Sequence, residues 1–261
     1  MMMYKGKYGV LVISHGSREE DWVQLVDEAV AQAAIPAGIP VFSSYLELVE
    51  GRLIQDGIDC LEAKGVTDII TVPLFISSGS VHIDEIRYAL GLEAEPALPT
   101  DLPRMRAEAK IHWTSVMDDH PLILEALYDK LRPLSEEPER EVLIVVGHGS
   151  REEGFYERWL AVLERAAHRL RELGGFQVAY PAMLQQEEQA RQLMEKVQVE
   201  HPGCQVILSP FFVSEGYFTR KVVPQRFAGF EWRYNGKTLL PHPAVSKWIA
   251  EQVRSVLPGM E

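Results

Sequence analysis

The sequence predicts an α/β protein made of two similar doubly wound, flavodoxin-like domains with mainly parallel sheets, produced by internal duplication. Three observations predict it. Short β-branched runs alternate with segments whose apolar residues recur at helical spacing, the pattern of parallel strands covered by helices on both faces. The phrase HGSREE occurs twice, at His15 to Glu20 and at His148 to Glu153, each time between an apolar run and a helical pattern. A polar, proline-bearing stretch, Ser135 to Glu141, separates the two halves.

The elements follow in order. YGVLVI (Tyr8 to Ile13) reads as a strand, and Glu19 to about Ala34 as a helix. VFSSYLEL (Val41 to Leu48) is the second strand, and Leu53 to Lys64 a helix stopped by Gly65. DIITVPLFI (Asp68 to Ile76) is the third strand and His82 to about Leu90 a short helix. The next loop carries Pro96, Pro99 and Pro103 and should be irregular. Lys110 to Ser115 is a fourth strand and Pro121 to Leu134 a helix. The second half repeats the order with VLIVV, a helix from about Phe155 to Leu173, FQVAYPAM, a helix from Glu187 to Glu200, and QVILSPFFV. It ends with a short segment near Thr219, a strand near Trp232 and a helix from Ala244 to Leu257. The expected domains are 1–134, carrying a site, and 140–261, a degenerate copy that closes a cleft over it.

Composition narrows the function. The chain has 261 residues, 46% of them apolar and 25% charged, the mix of a globular protein with real cores. Its net charge of −12 argues against nucleic acid and anionic membrane as partners. No apolar run reaches spanning length, and the start, MMMYKGKYGVLV, lacks the pattern of a secretory signal. Cys60 and Cys204 have no metal-type spacing, so a reducing cytoplasm is the simplest setting. The oligomeric state is left open, and a monomer is compatible with it.

Part of the repeated phrase is explained by structure alone. Gly16 and Gly149 suit a turn with unusual backbone angles. Ser17 with Glu20, and Ser150 with Glu153, have the spacing of a capping box. The histidines are not explained this way, because an imidazole ending a buried strand needs a partner or a task. In a parallel sheet, ligands bind beyond the carboxyl ends of the strands where the strand order switches. His15 ends the first strand, Glu47 the second, and His82 follows the third. With the first strand between the other two, these residues converge on one rim. Two imidazoles and a carboxylate suit a divalent first-row metal with open coordination positions. In the repeat, a gapless reading sets Thr219 against His82 and Ala182 against Glu47. The site is therefore expected in the first half alone, with His148 a structural or wall residue.

The HGS strand end, the glutamate of YLEL and the PLF…G…His82 segment resemble the class II tetrapyrrole chelatases, closest to the sirohydrochlorin chelatases of the CbiX and SirB type in their long, two-domain form. The resemblance covers essentially the whole chain. It implies a chelatase-like fold and insertion of Co(II) or Fe(II), or of Ni(II), as substrate into sirohydrochlorin, for cobalamin or siroheme, with no organic cofactor. It also implies that His15 and His82 are the metal-site histidines and Glu47 the acidic residue. Sirohydrochlorin carries many carboxylates, so Arg18, Arg151, Arg220 and Lys221 are the expected cations for it. Two other readings remain beside this one. One is a non-catalytic metal or tetrapyrrole carrier on the same fold. The other is a histidine-phosphatase-like enzyme, suggested by HGSR, although there the arginine follows the histidine.

Overall fold

The computed structural model describes residues 7–257. The outermost residues of the two expected domains, 1–6 and 258–261, lie outside them, as does the first half of the segment read for a secretory signal. Contacts divide the chain into two compact units. The first takes residues up to Phe75, Val81–Val116 and the chain from Val245 on. The second takes Ile76–Ser80 and Met117–Ala244.

In the first unit, β1 (Tyr8–Ser14), β2 (Val41–Tyr45), β3 (Asp68–Pro73) and β4 (Lys110–Trp113) form a sheet in the order β2-β1-β3-β4, parallel throughout. Val10 to Ile13 of β1 are fully buried, as a central strand covered on both faces requires. Helices α1 (Glu20–Ala31), α2 (Ile54–Ala63) and α3 (Val81–Ala89) connect the strands. On one face Leu11, Ile13, Ile58, Leu61, Ile69 and Ile86 form a continuous core; each buried aliphatic side chain of this kind contributes about 1.5–3 kcal/mol.

The second unit repeats the plan. β5 (Glu141–Gly147), β6 (Val178–Met183) and β7 (Gln205–Pro210) are parallel in the order β6-β5-β7. Its helices are α4 (Pro121–Leu131), α5 (Phe155–Gly174), α6 (Glu187–Glu200) and the short α7 (Val223–Arg226), which continues a π-helical turn at Phe218–Val222. The last helix, α8 (Pro243–Val256), belongs from Val245 onward to the first unit, where Gln252 Oε1 accepts the Ser115 N–H. The helix closing the first half of the sequence thus joins the second unit, and the helix closing the second half joins the first.

Two expectations are corrected. The strand near Trp232 is a single bridge between Arg233 and Ile207. Arg233 exchanges two backbone hydrogen bonds with Val206 and Leu208, but Gly229 and Gly236, at φ 89° and 71°, turn the chain away on either side. The capping boxes do not form. α1 starts at Glu20 and α5 at Phe155, so Ser17 and Ser150 lie too early to cap them. Their hydroxyls accept instead from the N–H groups of Glu19 and Glu152, two residues on. α5 begins after Gly154 (φ 79°), whose N–H is accepted by the Glu157 carboxylate.

No helix among the described residues is long and apolar enough to cross a membrane.

Candidate metal site at the carboxyl end of the first sheet

Three chain segments bring the expected residues together. His15 follows directly on β1. Gly16 turns the chain at φ 99°, and a Cβ there would stand 2.0 Å from the Glu47 carbonyl oxygen, so only glycine fits. Past β2 the chain keeps pairing with β1: Leu46 N–H donates to the Ser14 carbonyl and Glu47 N–H to the His15 carbonyl, at 2.8 and 3.1 Å. This extension carries Glu47 Oε1 to 3.8 Å from His15 Nδ1. The loop beyond is braced by Arg52, which donates to the Ser43 carbonyl and to both carboxylate oxygens of Asp27. His82 comes from the first turn of α3 and meets His15 edge to face, with ring centroids 4.8 Å apart and planes at 82°.

The hydrogen bonds assign the tautomers. His15 Nδ1 lies 3.2 Å from the Gly16 carbonyl, which can only accept, so Nδ1 carries the hydrogen and Nε2 keeps its lone pair. His82 Nδ1 lies 3.0 Å from a carboxylate oxygen of Glu85, with the same consequence. Both imidazoles therefore offer Nε2, the atom that binds a soft-to-borderline divalent ion. Among the described residues no group of three His, Cys, Asp or Glu side chains closes into a ready metal cage. The paired histidines form a partial donor set that leaves coordination positions open.

Burial, followed by the neighbouring His82, holds the His15 pKa below the ordinary 6.5, while the Gly16 carbonyl, Glu47 and Glu85 pull the other way. The neutral ligand form is thus favoured in the folded state. The sign follows: His15 contributes stability above about pH 6.5, and that contribution is lost as pH falls toward the lowered folded value. An NMR titration of the metal-free protein should find His15 protonating below 6.5, and His82→Ala should raise its pKa. A wild-type His15 titrating at or above the ordinary value would overturn this electrostatic account.

The second unit holds a copy of the geometry with other side chains. His148 follows β5, and Leu184 and Gln185 N–H groups donate to the Gly147 and His148 carbonyls at 3.0 and 3.1 Å. Gln185 therefore stands where Glu47 does, not Ala182, and its amide nitrogen lies 3.4 Å from His148 Nε2. Phe218 meets His148 edge to face at 4.9 Å and 82°. It also stacks near Phe212 at 6.3 Å, much as His82 lies 6.4 Å from Phe75. Phe218 thus occupies the place of His82. Thr219, the partner expected from the gapless reading, is buried and bonded to Gly216. The loop before Phe218 is one residue shorter, since Phe218 stands eight residues after Pro210 and His82 nine after Pro73, and this shifts the register.

The four expected cations are all exposed. Arg18 lines a shallow cavity of about 490 Å³ with Ser17, Asp27, Leu48 and Val49. Arg151 Nε donates to the Gln185 carbonyl at 2.9 Å, which joins it to the His148 group. Arg220 and Lys221 lie on the turn that carries Phe218. Sequence reasoning missed Glu85, Gln185 and Phe218. The His-x-x-Glu spacing on one helix was the available signal for Glu85; Gln185 had none, because its place is set by pairing between strands; a loop one residue shorter hid Phe218.

Solved structures share this fold. SirB from Bacillus subtilis, solved with Fe3+, superposes with a TM-score of 0.70 at 19% identity, covering 95% of each chain. The sirohydrochlorin chelatase SirB from Bacillus subtilis subspecies spizizenii, in complex with cobalt, gives 0.69 at 18% identity over 95% of this chain and 94% of that one. A CbiX described as the terminal enzyme of siroheme biosynthesis in denitrifying bacteria gives 0.62 at 18%, over 95% and 99%. At these identities the likeness establishes the fold, two chelatase-type α/β units with parallel sheets. No curated protein matches the sequence. The model of the CbiX family matches residues 9–134 and 142–256, nearly the whole chain, and on that match the protein belongs to the CbiX family.

Proposed function

We propose that this protein is a sirohydrochlorin metal chelatase that inserts Co(II) or Fe(II), with Ni(II) a further candidate, for siroheme or cobalamin. The observation that carries the reading is the pair of imidazoles at the carboxyl end of the first sheet, with each Nδ1 tied and each Nε2 presented. Its support from outside is membership of the CbiX family and a fold shared with chelatases solved with iron and with cobalt.

The chemistry follows from these groups. Metallation exchanges two pyrrole N–H protons for one dication. His15 and His82 hold the ion through neutral nitrogens and leave coordination positions for the macrocycle. With only two protein nitrogens, the ion is held loosely enough to be transferred. Glu47, with about half of its side chain exposed beside His15, offsets the positive charge and is placed to take a pyrrole proton. On the second unit Gln185 replaces the carboxylate and Phe218 the second imidazole. Three residues beyond His82 stands Glu85, whereas three beyond Phe218 stands Lys221. The charge of that rim is reversed, which suits substrate carboxylates better than a metal ion. Arg18, Arg151, Arg220 and Lys221 are the proposed partners of those carboxylates. The free thiols of Cys60 and Cys204 fit a cytoplasmic setting.

The test is visible absorbance of sirohydrochlorin with Co(II), Fe(II) or Ni(II). Turnover well above the uncatalysed rate is expected, with KM for the macrocycle rising with salt because the screening length shortens from about 10 Å at 0.1 M to about 3 Å at 1 M. Metal and macrocycle binding without acceleration would leave a carrier, and the chelatase reading would be lost.

A further inference from the structure

We propose that Glu85 is a positioning residue: its carboxylate accepts the His82 Nδ1–H and thereby aims Nε2 at the metal ion. Four observations carry this. The contact is 3.0 Å between groups three residues apart on α3. Glu85 is only 23% exposed, so it is not a solvated surface charge, and a carboxylate removed from that much water needs a compensating partner. Asp84 beside it is engaged elsewhere, accepting the Ala97 N–H at 2.7 Å. The fourth observation is internal to the chain. His15 and His148 both tie Nδ1 to the carbonyl of the following glycine, at 3.2 and 3.0 Å. That tie belongs to the repeated turn and is present whether or not a second imidazole faces it. The carboxylate tie falls on His82; in the second unit the ring in its place is Phe218, and the residue three further on is Lys221. The carboxylate occurs with the second imidazole and is absent without it, as expected of a group that serves that imidazole.

A carboxylate behind a ligating imidazole does two things. It fixes the ring's rotation and tautomer, and it makes the distal nitrogen a stronger donor. His82 gains both, whereas His15 hydrogen-bonds a neutral carbonyl and has its nearer carboxylate, Glu47, at 3.8 Å, beyond hydrogen-bond reach. The two nitrogens are therefore unequal, and His82 is the stronger ligand.

The proposal rests on the chelatase reading for its purpose, but its first readout does not. Long-range 1H–15N correlation spectra of the metal-free protein should show His82 as the Nδ1–H tautomer. Glu85→Ala should convert it largely to Nε2–H or to a mixture, and Co(II) affinity, followed by titration, should fall about 10- to 100-fold while the melting curve shows a folded protein. Glu85→Gln, whose amide oxygen still accepts the Nδ1–H, should restore the tautomer and most of the affinity; it also serves if the alanine variant does not fold. A folded Glu85→Ala protein with the wild-type tautomer and unchanged Co(II) affinity would overturn the proposal. A wild-type protein with the expected tautomer that leaves sirohydrochlorin unmetallated would overturn the chelatase reading and leave the positioning role intact.

Discussion

His82→Ala should abolish most metal binding and most chelation in a folded protein, whereas His148→Ala should leave both largely intact. His82 supplies one of the two imidazoles proposed to hold the ion, and its ring lies 4.8 Å from His15. Loss of a ligand should exceed the about 10- to 100-fold cost of losing a hydrogen-bonded partner behind one. Co(II) affinity is therefore expected to fall by at least about 100-fold, with the chelation rate falling alongside. His82 is partly exposed, at 35% of its side chain, and sits in the first turn of α3, so truncation there should disturb the core little. His148 faces Phe218 and Gln185, neither of which binds a divalent ion well. The measurements are Co(II) titration and chelation rate, with circular dichroism to show folding. Full activity in a folded His82→Ala protein would remove the site, and equal loss in both variants would remove the asymmetry between the units.

The triple variant Gln185→Glu, Phe218→His and Lys221→Glu should bind two Co(II) ions per chain, one more than is expected of the natural protein. The backbone of the second rim already matches the first, since the strand extension pairs at 3.1 Å in both and the facing rings stand at 4.8 and 4.9 Å with the same 82° angle. Apart from the π-helical turn at Phe218–Val222, which takes the place of the first turns of α3, the difference lies in side-chain chemistry. Gln185 presents an amide nitrogen to His148 Nε2, Phe218 offers no lone pair, and Lys221 adds repulsion. Restoring two carboxylates and an imidazole restores the donor set. Phe218 is 38% exposed, so replacing it should cost only about 1 kcal/mol of apolar burial. The readout is metal stoichiometry by titration with His82→Ala as background, where one restored equivalent is expected. A folded variant with no added equivalent would show that the two rims are not chemically interchangeable.

The sequence by itself determined the alternation of strands and helices, the duplication and the placement of His15 at a strand end and of His82 after the third strand. These depend on local patterning: a buried parallel strand must be apolar along its length, as Val10 to Ile13 and Val142 to Val146 are. It also led to the proposal of a metal site in the first unit, although by comparing it with the wrong residues of the second. Tertiary structure alone decided the equivalences in the second unit, because parallel register is set by hydrogen bonds between strands distant in sequence. That register puts Gln185 opposite His148, and a loop one residue shorter puts Phe218 rather than Thr219 against it. Helix starts moved past the serines because Gly154 and the residues after Gly16 complete a turn before helical bonding begins. The exchange of the closing helices, α4 to the second unit and α8 to the first, is likewise invisible in sequence. An amphipathic helix records that it has an apolar face, and the surface that covers that face is chosen only when the chain is folded.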